Sequence, residues 1–161
     1  MKTIQYSPQQ AKSGKSTFRL FLIVFFFSLS FLGQSQDKNL VAIGNLTGVP
    51  ATMKLSELKA VMMGEQQRWK SGNRVLIALM KTTTPLGKQV AEEIFDMTGD
   101  GVNKYWLALV FQGKAQAPNF FSSVVELESF VAQNPGAIGI MNKPSNSDEI
   151  KTILIDGQKT F

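Results

Sequence analysis

The sequence predicts an α/β fold in which a small mixed sheet is flanked by helices. Three observations carry that expectation. Leu40 to Ile43, Val75 to Met80 and Ala137 to Met141 are short, continuous apolar runs, the pattern of strands covered on both faces. Stretches with apolar residues at helical spacing alternate with them, as in layered folds that pack helices against a sheet. At Asn134-Pro135-Gly136 an amphipathic run ends, the chain turns and a buried strand begins.

Residues 1–35 read as an export signal outside the fold. Lys2, Lys12, Lys15 and Arg19 precede Leu20 to Leu32, a nearly unbroken apolar run, and Gly33 and Ser35 stand at the −3 and −1 spacing of a signal-peptidase site, which places the cut near Ser35–Gln36. The run is well short of the ~20 apolar residues that cross a bilayer as a helix. An uncleaved N-terminal anchor is the alternative. No Cys stands near Gly33, so a lipoprotein anchor is excluded. The remaining 36–161 fit one domain with one modest core.

Leu40 to Ile43 is the first expected strand, ending in Gly44-Asn45, and Asn45 to Thr52, with Gly48 and Pro50, reads as a loop. Leu55, Leu58, Val61 and Met62 have helical spacing, in a unit started by Ser56 and stopped by Gly64. A polar connector, Glu65 to Asn73, leads to a second strand, Arg74 to Met80. Lys81-Thr82-Thr83-Thr84-Pro85 joins it to a helix, with Thr84 as N-cap and Pro85 at the first helical position, where no amide donor is needed. Leu86, Val90, Ile94 and Phe95 form the apolar face of that helix, and a turn at Thr98 to Gly101 separates it from a helix carrying Tyr105, Trp106, Leu109, Val110 and Phe111. After a loop at Gly113 to Pro118, Ser122 or Ser123 caps a helix through Val124, Leu127, Phe130 and Val131. The Pro-Gly turn, the strand Ala137 to Met141, a polar loop at Asn142 to Asp148 and a half-exposed or edge strand, Ile150 to Ile155, complete the chain.

Charge and composition remove several function classes. The 161-residue chain carries +5, but four of its 17 basic residues precede Ser35, which leaves 13 against 12 acidic residues and a net +1. A basic surface for nucleic acid, which needs clustered phosphate contacts, is therefore not expected. There is no Cys and no His. Disulfides, thiolate nucleophiles, the Ser-His-Asp triad and most zinc sites are excluded together. Neither a cofactor nor an enzymatic activity is expected.

Several short motifs imitate functional ones. Gly14-Lys15-Ser16-Thr17 resembles the end of a P-loop, but the upstream glycine position holds Gln9 and the motif lies in the leader. Asp96, Thr98, Asp100 and Gly101 resemble the opening of a calcium loop, whose twelfth position is Leu107 rather than the bidentate Glu. Asn45-Leu46-Thr47 matches a glycosylation acceptor and reads first as a turn. Glu92-Glu93, and Glu126 with Glu128, read as solvated faces rather than catalytic pairs, and Tyr105, Trp106 and Phe111 as a core or cleft-lining stripe. Lys81 to Thr84 is the motif with chemical content: a hydroxyl-rich turn opening a helix offers amides, a positive dipole and donor side chains to an anion. Simple capping is its other reading.

In order along the chain stand Leu55-Ser56-Glu57-Leu58 before Met63-Gly64, Arg68-Trp69-Lys70-Ser71-Gly72 leading to Val75–Met80, and Leu86 to Phe95. They are followed by Tyr105-Trp106, Phe111-Gln112-Gly113, Pro118, and Val131 before Pro135-Gly136-Ala137-Ile138-Gly139. In this ordered set the chain resembles the phosphate-type periplasmic substrate-binding proteins of ABC transporters, in particular their short single-lobe relatives. The resemblance covers about Leu40 to Met141 and implies one lobe of a type 2 periplasmic binding protein.

In that family phosphate sits between two lobes, held by hydroxyls, helix N-terminal amides and an Arg-Ser-Gly-Thr type turn. The nearest positions here are Lys81, Thr83 and Thr84, with Gly44 and Asn45 expected to end the first strand on the same side of the sheet. Lys81 replaces the Arg, and Thr-Thr-Pro replaces Ser-Gly-Thr. The resemblance thus implies an exported, non-catalytic solute-binding-like protein, periplasmic or extracellular, for phosphate or another small oxyanion. Its implied partners are a transporter or envelope protein, or a second copy of the chain in a homodimer. An accessory protein of the envelope that keeps the scaffold without the ligand is the alternative.

Overall fold

The computed structural model describes residues 1–3, 5 and 39–161. The expected leader and its P-loop-like motif lie outside the described residues, apart from residues 1–3 and 5. Among the described residues no helix is long and apolar enough to cross a membrane.

Residues 39–161 build six strands and four helices. In chain order these are β1 (Val41–Asn45), β2 (Thr52–Met53), α1 (Leu55–Met62), β3 (Leu76–Met80), α2 (Pro85–Glu93), α3 (Gly99–Phe111), β4 (Asn119–Phe121), α4 (Val124–Gln133), β5 (Ala137–Met141) and β6 (Ile150–Ile155). One sheet takes the order β2-β6-β1-β5-β3-β4. Strands β4, β3 and β5 are mutually parallel, β1 runs antiparallel to both β5 and β6, and β2 lies parallel to β6. The expected mixed α/β architecture is what forms.

All five residues of β1 and of β5 are buried. Successive side chains of a strand point to opposite faces, so continuous burial means that both faces are covered. One face lies under α4: a Cβ on Gly139 would come within 2.9 Å of Leu127 Cδ2 and 3.4 Å of Val131 Cγ2. Glycine at 139 lets the helix approach this closely. Ile138 and Ile140, on the opposite face by alternation, are equally sealed, at 0 % and 1 % exposed.

Local chemistry accounts for the element boundaries. The Ser123 hydroxyl accepts from the Glu126 amide at 3.3 Å and the Glu126 carboxylate accepts from the Ser123 amide at 3.2 Å, a reciprocal capping box that starts α4. At the other end Gly136 has φ +83° and the Ala137 amide donates to the Asn134 carbonyl at 3.0 Å. The helix, turn and strand anticipated there are present.

Three boundaries differ from expectation. Helix α1 begins at Leu55 with Lys54 as N-cap rather than at Ser56, because the Glu57 carboxylate accepts from the Lys54 amide at 2.9 Å. The second strand starts at Leu76, not Arg74: Arg74 bridges to Arg68, and the Val75 amide donates to the Gln67 carbonyl, so both residues pair with the connector. The reversal between α2 and α3 lies before Thr98, where Asp96 takes φ +53°. Thr98 then caps α3 through the Gly101 amide at 3.2 Å, which makes Gly99, Asp100 and Gly101 the first helical turn rather than a loop that could open a calcium site. Strand β6 is half-exposed, as one of the two readings had it, with Lys151, Thr152 and Leu154 partly open; it sits one strand in from the edge, where β2 covers it only at Thr52 and Met53.

Candidate functional site

The Lys81–Thr84 loop leaves β3 and enters α2 under tight constraint. The Lys81 amide donates to the Phe121 carbonyl of β4 at 2.9 Å, and the Lys81 carbonyl accepts from the Thr84 amide at 2.9 Å and from the Thr84 hydroxyl at 2.8 Å. The same hydroxyl accepts from the Gly87 amide at 3.0 Å, the N-cap anticipated from Thr84-Pro85. A Cβ on Gly87 would lie 2.1 Å from the Lys81 carbonyl oxygen, so this close fold-back requires glycine there. The loop is tied to α3 by Asn103, whose side-chain amide donates to the Thr82 hydroxyl at 3.1 Å. No sequence pattern links Thr82 to Asn103, 21 residues away, and this anchor was not anticipated.

Lys81 and Thr83 are exposed. Among the described residues, the Lys81 ammonium, the Thr83 hydroxyl and the backbone amides of Thr83 and Leu86 have no protein hydrogen-bond partner. Chemically this is a cluster of donors at a helix N-terminus, where the dipole favours negative charge. The Thr84 hydroxyl is already occupied as donor and acceptor within the loop.

Gly44 and Asn45 do not join this cluster. Because β1 runs antiparallel to β5, Gly44 pairs with Ile138 near the start of β5, while Ala137 pairs with Leu76 at the start of β3. Lys81 follows the opposite end of β3, roughly 15 Å away at about 3.3 Å per residue. The expectation that these residues share one side of the sheet is corrected by strand direction. Asn45 is 5 % exposed. Its side-chain nitrogen donates to the carbonyls of Val131 at 2.9 Å and Ala132 at 2.7 Å, and its oxygen accepts from the Thr47 amide at 2.8 Å. Asn45 therefore satisfies carbonyls that the last turn of α4 leaves without helical partners, and its amide nitrogen is closed to glycosylation in the folded chain. At Gly44 an added Cβ would lie 2.6 Å from Val49 Cγ1, so the position serves close packing.

The remaining candidates are structural. Glu126 caps α4, Glu128 accepts from the Ser145 hydroxyl, and Glu93 accepts from the Gln89 side chain at 3.1 Å. Tyr105 and Trp106 pack edge to face with centroids 5.8 Å apart, and the Tyr105 hydroxyl donates to the Met63 carbonyl at 2.8 Å. Burial, with the Glu65 charge second, pushes the Tyr105 phenol above its ordinary range. Phe111 leaves the expected stripe, at 83 % exposed, and Leu107 and Val110 on the same helix are also exposed. Among the described residues no group of three or more acidic side chains is placed to hold a metal ion.

No protein-family model matches the chain, and no curated protein matches it. Solved structures do. An ABC-type phosphate transport receptor from Vibrio cholerae superposes with a TM-score of 0.56 at 13 % identity, over 76 % of this chain and 48 % of the receptor. A substrate-binding protein assigned to phosphate ABC transport in Clostridium perfringens, crystallised with bound phosphate, gives 0.55 at 15 % identity, over 74 % and 46 %. The chain thus spans about half the length of the solved structures it matches. At these identities the likeness is one of fold: the mixed α/β architecture of this chain is similar to about half of each of these two phosphate ABC transport proteins.

Proposed function

We propose that this chain is an exported, non-catalytic solute-binding-like protein that takes phosphate or a similar small oxyanion at Lys81, Thr83 and the N-terminus of α2, with Thr84 holding the loop in shape. The observation that carries the reading is the fold likeness to phosphate-binding proteins, joined to the cluster of unpartnered donors that opens α2. Gly44 and Asn45 have no part in it, since their polar and packing capacity is used within the fold.

The physical form of the loop bounds the affinity. An exposed ammonium and one hydroxyl contact an anion in a high-dielectric setting, where each contact is worth about 1 kcal/mol or less. Lys81 also lacks the bidentate fork of Arg. A lone chain is therefore expected to bind phosphate only in the millimolar range. A second copy, or another envelope protein, closing over the loop would exclude water and strengthen the same contacts. Isothermal titration of the purified protein with phosphate and with sulfate is the test, and absence of heat at millimolar ligand sinks the proposal. Export rests on the basic and apolar leader followed by Gly33 and Ser35; an N-terminus beginning at Gln36 in the envelope fraction is the expected result.

A second reading, an accessory protein on the same scaffold, is favoured by exposed Leu107, Val110 and Phe111 on α3. Recovery of a stable envelope partner together with silent phosphate titrations supports it. Saturable phosphate binding by a monomer counts against it.

A further inference from the structure

A second candidate site lies at the end of the sheet opposite Lys81–Thr84. It is a pocket of about 310 Å³ between the segment after β1, helix α1 and the connector before β3. Ligand pockets in proteins start at about this size, with apolar walls and a few polar groups placed at the rim. The floor here is apolar and sealed from beneath, since Val49, Met53, Val61 and Trp69 are each no more than 8 % exposed.

The pocket is held in shape by bonds that do not involve a ligand. The Trp69 indole N–H donates to the Gly136 carbonyl at 2.8 Å, fixing the aromatic part of the floor. The Ser71 hydroxyl donates to the Gly48 carbonyl at 3.0 Å, joining two walls across the pocket's margin. A site already organised in this way loses little freedom when a ligand enters.

Two opposite charges line the rim from different walls, Glu57 from α1 and Lys70 from the connector. One Glu57 oxygen accepts from the Lys54 amide at 2.9 Å. Among the described residues neither Glu57 nor Lys70 is engaged in an ion pair with the other or with any third group. An apolar floor with one anionic and one cationic group above it matches a ligand having an apolar body, an ammonium and a carboxylate.

We propose that this pocket binds a small apolar zwitterion of the hydrophobic α-amino-acid type, its side chain against Trp69, Val61, Met53 and Val49, its ammonium at Glu57 and its carboxylate at Lys70. The site shares no residue with Lys81–Thr84, so it stands or falls separately from anion binding there.

The Trp69 indole N–H is the reporter, read in nitrogen-15 correlation spectra of the purified protein and assigned by Trp69→Phe. L-phenylalanine, 3-phenylpropionate and phenethylamine are the probes. L-phenylalanine is expected to shift this signal saturably and most tightly of the three. Glu57→Gln is expected to weaken L-phenylalanine and phenethylamine about two- to fivefold, the range of exposed charge pairs, and to leave 3-phenylpropionate unchanged. Lys70→Met should weaken L-phenylalanine and 3-phenylpropionate and spare phenethylamine. Lys81→Met should alter none of them. Absence of a saturable shift with every probe at millimolar concentration overturns the proposal, as does binding that ignores both rim charges or is lost in Lys81→Met.

Discussion

Replacing Asn45 by Ala separates a structural role from a ligand role more sharply than any other single change. Three hydrogen bonds end on this side chain, to the carbonyls of Val131 and Ala132 and from the Thr47 amide. The bond to Val131 is buried, so its loss leaves a carbonyl without water, at a cost of roughly 1–3 kcal/mol. The other two are part-buried, and water replaces them incompletely, for roughly 0.5 kcal/mol each. The sum is about 2–4 kcal/mol. For a domain of this size that corresponds to a fall in Tm of roughly 6–20 °C. Asn45→Asp should destabilise at least as much, because it keeps the acceptor for Thr47 but sets a carboxylate against two carbonyls in place of their donor. Urea unfolding followed by circular dichroism measures both variants, with phosphate titration run beside it. A loss under 0.5 kcal/mol with an unchanged m-value, or a selective loss of anion binding in a fully stable variant, would refute the assignment of Asn45 to the end of α4.

Three further substitutions probe the frame of the site. Gly139→Val places a side chain where Leu127 Cδ2 already stands 2.9 Å from the ideal Cβ; overpacking of this kind costs about 1–3 kcal/mol, readable as a lower urea midpoint. Thr84→Ala removes the hydroxyl bridging the Lys81 carbonyl and the Gly87 amide and is expected to cost about 1 kcal/mol, seen in the thermal midpoint. For Tyr105 the sign follows from its raised phenol pKa. Below the ordinary value of 10.0 both folded and unfolded chains hold the proton. Above it the unfolded chain loses the proton first, so stability falls with rising pH. Tyr105→Phe should be less stable at neutral pH by about 1 kcal/mol and should lack this contribution to the alkaline decline, which paired urea curves at neutral and alkaline pH detect.

The parts of the fold legible in the sequence are those with a local chemical cause. The continuous apolar run Ala137 to Met141 marked a covered strand, Thr84-Pro85 marked a helix start, and Asn134-Pro135-Gly136 marked the turn between α4 and β5. Strands β2 and β4 escaped because two and three residues carry no periodicity. Strand direction escaped for a deeper reason. A fully buried run such as Val41 to Asn45 reads the same whichever way it points, and only the register with β5 and β6 reveals that it opposes its neighbours. That single unknown moved Gly44 and Asn45 from the expected anion site to the far end of the sheet. The pocket over Trp69 was illegible for a related reason, since Val49, Glu57 and Lys70 meet only after the sheet has formed.

The most direct measurement of the proposed function is a phosphate titration of the purified protein followed at individual backbone amides. The account predicts saturable millimolar shifts at the Thr83 and Leu86 amides, weakened in Lys81→Met and absent at Asn45. Unmoved amides at Thr83 and Leu86 under millimolar phosphate, or shifts that persist undiminished without the Lys81 ammonium, would contradict it.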